Sequence, residues 1–263
     1  MGMAGIATFV HDAPAWLVGL ILLAAMAAAR EVGAWAHRRL KPAGRPASGH
    51  GTAEGHILAG VLGLLALLIA FTFSLALERY DDRRELVVTE ANALSATYLR
   101  TDMLDDPTQL RKLLREYARE RLLYGERWGP AEAHVLQRGD ELQLQIWREA
   151  VKQARPLSAT MVSALLLDPL NRAFEVAAAR KAALEARLPL SVLVALALYT
   201  VVSAGVLGYA LAGAGGQHRL ASLVLFALLT LAIALIFDLD QPRSGMLKVP
   251  QTPMAVALQA MGG

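Results

Sequence analysis

Ile57-Leu58-Ala59-Gly60-Val61-Leu62-Gly63-Leu64-Leu65-Ala66-Leu67-Leu68-Ile69-Ala70-Phe71-Thr72-Phe73-Ser74-Leu75-Ala76-Leu77 runs for 21 residues without a charge, and Glu78-Arg79-Tyr80-Asp81-Asp82-Arg83-Arg84 follows at once. Crossing about 30 Å of hydrocarbon takes about 20 mostly apolar helical residues, so the run predicts a membrane-spanning helix. No Gly or Pro interrupts Glu78 to Arg100. The same helix is therefore expected to continue well beyond the apolar boundary.

Three further apolar runs stand outward from this one. Ala13–Ala29 has 17 residues, Leu188–Gln217 is uncharged across 30, and Leu220–Phe237 adds 18 more. Ala27-Ala28-Ala29 resembles a signal-peptide cleavage site, but residues 1–12 lack the basic leader such a peptide needs. The first run is read as a retained span. The expected fold is all-α, a four-span helical integral membrane protein with a helical extramembrane domain between spans two and three. Residues 1–77 hold the first two spans with a basic connector at 30–56. Residues 78–187 form the extramembrane domain, 188–237 the third and fourth spans, and 238–263 a C-terminal tail.

Composition agrees with a membrane chain. Of 263 residues 55% are hydrophobic and 19% charged, against about a quarter charged in soluble domains. Disorder is excluded, because it needs low hydrophobicity and high net charge. The absence of cysteine excludes a disulfide scaffold, thiolate metal sites and thiol nucleophiles. Net charge is +3, yet residues 78–187 balance 18 basic against 18 acidic side chains. The excess gathers around Arg30, Arg38, Arg39, Lys41 and Arg45. No basic face interleaved with aromatics occurs, so nucleic acid is not an expected partner. By the positive-inside rule, that connector and the turn at His218-Arg219 lie in the cytoplasm. Both termini and the helical domain are then extracytoplasmic. Arg79, Arg83 and Arg84 weigh the other way.

Residues 78–187 read as helical throughout. Asp105-Asp106-Pro107 is a stop and restart, with Asp106 a cap and Pro107 at the first helical position. Leu110, Leu113, Leu114, Tyr117 and Ala118 repeat at i, i+3, i+4, i+7 and i+8, an amphipathic face. Gly129-Pro130 closes that helix. The next is expected over Ala131–Ala154, with Pro156 behind it, and another over Leu157–Arg187 with a bend at Asp168-Pro169.

Several segments carry a resemblance. They are Phe71-Thr72-Phe73-Ser74, Glu78 through Arg84, Glu90-Ala91-Asn92-Ala93, Thr97-Tyr98-Leu99-Arg100 and Asp238-Leu239-Asp240-Gln241-Pro242-Arg243-Ser244-Gly245, with the basic Glu31-to-Arg39 stretch. In this order, across nearly the whole chain, they resemble the bestrophin-like membrane proteins, a family catalogued as a domain of unknown function. The resemblance implies a four-span helical membrane protein, distantly similar to bestrophins, which are oligomeric chloride channels. The chain is much shorter than a true bestrophin and has no recognisable acidic calcium-clasp segment. Neither calcium gating nor anion selectivity is carried over.

Glu78, Asp81, Asp82 and Glu85 fall at i, i+3, i+4 and i+7, an acidic stripe on one helix face. In a ring of subunits such a stripe would form stacked acidic rings that concentrate cations. Phe71, Phe73 and Leu77, just before it, are candidates for a hydrophobic constriction. The plainer alternative is a salt-bridged helix, with Asp81 pairing Arg84 and Arg79 pairing Asp82. Glu90 and Asn92 interrupt an apolar stretch and are expected in a buried network with Tyr98 or Arg100. Asp238 and Asp240 stand at the unfavourable end of the fourth span's dipole. They therefore need a cation, an arginine such as Arg243 or one in the helical domain, or solvent. Ala204, Gly208, Ala212 and Gly216 recur every four residues, a stripe for close helix packing within or between subunits.

His50, Glu54 and His56 lie in a Gly-rich connector with no fixed geometry, so no metal is expected. No nucleophile elbow, phosphate loop or dinucleotide fingerprint is present, so neither catalysis nor a cofactor is expected. The reading is a homo-oligomeric protein of a bacterial inner membrane. Its partners are lipid, copies of itself and inorganic ions, and it is a channel or pore whose second span lines the path. The alternative is a non-conducting anchor or sensor whose helical domain binds a partner.

Overall fold

The computed structural model describes residues 14–40, 50–126, 131–154, 158, 166–212, 219–243 and 245–262, and among them there is no strand. In chain order the helices are α1 Ala15–Leu40, α2 His50–Arg100, a single 3-10 turn Thr101–Met103, α3 Thr108–Glu126, α4 Ala131–Ala154, α5 Asp168–Glu185, α6 Leu190–Leu211, α7 Arg219–Asp240 and α8 Thr252–Ala260. Two compact units result. One comprises Met1–Glu78 with Arg187–Gln241, the other Arg79–Ala186 with Pro242–Gly263. Helix α2 contributes to both.

Four helical stretches, Ala15–Leu40, Gly55–Met103, Asp168–Leu211 and Arg219–Asp240, are long and apolar enough to cross a membrane. Helix α1 runs further than its apolar run, so Arg30, Arg38 and Arg39 are helical rather than part of a connector. The cause is local: no proline occurs between Pro14 and Pro42, and alanine-rich sequence favours continued helix. Trp16 and Trp35 of α1 are exposed and stand 19 residues apart.

In the first unit, α1 packs on α6 and α7. The α1–α6 crossing is built on glycine. A Cβ on Gly208 would overlap the Arg30 backbone, and one on Gly33 the Gly205 carbonyl. Ala204 and Gly208, from the four-residue stripe, are thus buried against a helix of the same chain. Ala212 is half-buried at the end of α6, and Gly216 lies outside the described residues. Buried hydroxyls bond inside their own helices: Thr72 to Leu68 O at 2.8 Å, Thr200 to Leu196 O at 2.7 Å, Ser203 to Tyr199 O at 2.7 Å. This satisfies them without water, as a lipid environment demands. Exposed Leu198, Val202, Leu223, Leu228 and Leu231 face outward.

In the second unit, Val87 and Leu94 of α2, Leu110, Leu114 and Tyr117 of α3, Leu142 and Ile146 of α4, and Leu170 and Ala173 of α5 form one core. Met254 and Ala257 of α8 join it, so the C-terminal segment is a structural member of this unit rather than a loose tail. The start of α3 is capped by Asp106, whose Oδ1 accepts from Thr108 N at 3.3 Å. That hydrogen bonding holds the Asp106 carboxyl below its ordinary value. Asp168-Pro169 falls in the first turn of α5, where proline is best accommodated.

Candidate functional site

Glu78, Asp81, Asp82 and Glu85 are all exposed on α2. At about 100° per residue, Leu64, Leu67, Phe71 and Leu75 share their face, and all four are exposed. The opposite face carries Leu65, Thr72, Ala76, Arg83, Val87, Glu90 and Leu94, all buried. The three apolar candidates do not stand together. Phe71 is on the exposed stripe; Phe73, half-buried, is about 200° round the helix from it, and Leu77, exposed, about 120°.

The second unit holds a buried ionic cluster. Glu90 is fully buried. Its Oε1 accepts from Arg121 Nε, and its Oε2 from Arg180 Nη1 at 2.5 Å. Arg180 Nη2 donates to Gln251 Oε1 at 2.6 Å, and Arg121 Nη2 to Ala177 O at 3.1 Å. Burial works most strongly against the Arg121 charge, but the Glu90 carboxylate with its hydrogen bond, joined by Tyr117 and Tyr124, raises the guanidinium above its ordinary value. Arg243 Nη1 donates to Glu132 Oε1 at 2.5 Å. The Tyr124 ring lies 4.9 Å from the Arg121 guanidinium and 4.3 Å from that of Arg243. Close packing is required here: a Cβ on Gly125 would strike the Gln251 amide and the Arg180 guanidinium.

The expected partners of Glu90 are elsewhere. Arg100 is exposed and Asn92, about 200° from Glu90 on α2, is exposed too. Ten residues of helix separate Glu90 from Arg100, about 15 Å, beyond side-chain reach. Tyr98 lies 5.3 Å from the Arg111 guanidinium instead.

Asp238 and Asp240 are buried, which removes solvation as their explanation. Asp240 Oδ1 accepts from Leu188 N at 2.8 Å, two residues before α6. Its carboxylate thus sits at the favourable end of the α6 dipole, offsetting its place at the end of α7. Arg83, next to Asp82 in sequence, is buried and lies on the face of α2 away from the acidic stripe. Its Nε donates to Ala183 O at 2.9 Å and its Nη2 to Ala186 O at 2.6 Å, satisfying carbonyls at the end of α5.

Arg121 and Arg180 escaped the sequence reading, though a signal existed. Arg121 extends the buried series Leu110, Leu114, Tyr117 of α3, and Arg180 the series Leu170, Ala173, Ala177 of α5. An arginine on an apolar stripe calls for a buried acid. No group of three or more His, Asp or Glu side chains among the described residues could hold a metal. The side chains of His50 and Glu54 lie outside the described residues, and His56 is exposed.

With this geometry in place, comparison with known proteins is direct. A bacterial Bestrophin homologue from Klebsiella pneumoniae carrying one substitution matches with TM-score 0.66 and 12% identity, covering 92% of this chain and 96% of its own. A second variant of such a homologue gives 0.66 and 13%, covering 95% and 99%. A structure described as a membrane protein gives 0.62 and 14%, covering 78% and 86%. At such identities the likeness is one of fold. No curated protein matches the chain. The sequence profile of the Bestrophin-like domain matches residues 24–254, most of the chain, and this membrane protein therefore belongs to the Bestrophin-like family.

Proposed function

We propose that the chain assembles with copies of itself into a symmetric ring in a bacterial inner membrane, and that the exposed face of α2 lines a path for ions. Four spans are too few to enclose a wide pore, so a path along a symmetry axis needs several subunits. The observation that carries the reading is the division of α2 into a packed face and an unpacked one. The unpacked face changes from Leu64, Leu67 and Phe71 to the carboxylates Glu78, Asp82 and Glu85. Apolar rings followed by acidic rings make a constriction with a cation-attracting mouth. Membership of a family of ion channels supports conduction, and the acid stripe supports a preference for cations. Phe71 is the constriction residue, with Phe73 nearly on the opposite face of α2. The basic residues between the first two spans, Arg30, Arg38 and Arg39 at the end of α1 among them, support an extracytoplasmic helical domain.

The test is current through a planar bilayer containing the purified protein under a KCl gradient. The expected reversal potential lies on the potassium side of zero. The triple substitution Glu78→Gln, Asp82→Asn, Glu85→Gln, all at exposed positions, moves it towards zero. Silence at every voltage and pH removes conduction in favour of an anchor whose helical domain binds a partner. A reversal on the chloride side removes the cation preference.

A further inference from the structure

Within the second unit a cavity of about 200 Å³ lies among α3, α4 and α5, lined by Tyr117, Arg121, Tyr124, Gly139, Phe174 and Lys181 among others. One of these residues keeps it open. Gly139 is buried in the interior of α4, yet a Cβ there would meet no atom within 4 Å. Glycine within a helix is less stable than alanine, and no neighbour excludes alanine at this position. What alanine would remove is space in the cavity.

Three buried side chains around that space, Tyr124, Tyr117 and Arg121, have hydrogens to give. Tyr124 Oη is buried and has no hydrogen-bond partner. Tyr117 Oη accepts from Gln143 Nε2 at 2.7 Å, so its own hydrogen remains to be given. Burial above all raises this phenol beyond its ordinary value, which keeps that hydrogen in place. Arg121 commits Nε to Glu90 and Nη2 to Ala177 O, leaving Nη1. Charge points the same way, since two buried guanidinia, Arg121 and Arg180, face the single carboxylate of Glu90. At the rim the signs are mixed: Glu120 is half-buried, while Asp140 and Lys181 are exposed.

We propose that this cavity binds a small organic carboxylate with a compact apolar body. Unused donors at the buried end, where Arg121 and Arg180 share one carboxylate, favour an acceptor that carries negative charge. The aromatic walls, with Tyr117 and Phe174 edge-to-face at 5.9 Å, suit an apolar body. A dry cavity of about 150 Å³ accommodates benzene, so this one has room for a benzene-sized group and its carboxylate. The site does not depend on conduction.

Calorimetric titration of the full chain in detergent with benzoate tests this, with benzyl alcohol as the neutral analogue. Benzoate is expected to bind saturably with one site per chain, and benzyl alcohol at least tenfold more weakly. Gly139→Leu fills the cavity and abolishes binding while the melting temperature holds or rises; Gly139→Ala is the milder variant and weakens it. Tyr124→Phe weakens benzoate about tenfold, the loss of one hydrogen bond to a charged group. The proposal is overturned if acetate, butyrate and benzoate all give no saturable heat. It is equally overturned if benzyl alcohol binds as well as benzoate, or if Gly139→Leu binds benzoate like the unaltered chain.

Discussion

Glu90 is the residue on which the second unit depends most. Among the described residues it alone answers the charges of Arg121 and Arg180, and a buried charge stripped of its partner is strongly unfavourable. Glu90→Gln should destabilise the protein by about 3–5 kcal/mol, read as a lower denaturation midpoint by circular dichroism in detergent. Asn92→Ala, at an exposed position two residues away, should stay within about 0.5 kcal/mol of the original. Equal effects would deny the cluster its role. Tyr117 gives the pH counterpart. Its folded value is raised, foremost by burial, above the ordinary 10.0. Its contribution to stability is therefore complete below that ordinary value and is lost as pH rises through the folded one. In a tyrosinate absorbance titration, Tyr117→Phe should remove a step lying above pH 10.0; removal of an earlier step would contradict the assignment.

Among the helices, α2 and the α1–α6 pair show how differently small and large residues were readable. The span in α2 and its continuation to Arg100 followed from an apolar run with no breaker behind it. The stripe containing Ala204 and Gly208 announced close packing but could not name its partner, because any smooth helix satisfies it. In the structure that partner is α1, where Gly33 and Gly208 let two backbones meet. Gly208→Val should wedge the pair apart, lowering the thermal midpoint by the equivalent of about 1–3 kcal/mol or preventing recovery of folded protein. Gly63→Ala, where an added Cβ meets nothing within 4 Å, should leave the midpoint unchanged or raise it slightly. If both behave alike, the crossing is not what glycine serves here.

For the molecule as a whole, the chain divides into units that are not contiguous in sequence. Arg187–Gln241 returns to the unit of Met1–Glu78, and Pro242–Gly263 joins that of Arg79–Ala186. Sidedness belongs to this level too. Since the chain has no cysteine, Gln145→Cys, on the exposed side of α4, is a clean probe. In spheroplasts a membrane-impermeant maleimide should label it without lysis, whereas Arg39→Cys should need permeabilisation. The reverse pattern places the helical domain in the cytoplasm.

The spans, the helical character of the described residues between 78 and 187 and the cap at Asp106-Pro107 were legible because each rests on neighbours a few residues apart: hydropathy sums along one helix, and proline acts on its own turn. Partners were not legible in the same way. Glu90 meets arginines 31 and 90 residues away, Asp240 meets an amide 52 residues away, and Gly139 owes its open space to side chains of three helices. Periodicity marks which positions turn inward. Which inward groups face one another depends on how the helices pack in space, and local spacing carries no record of that.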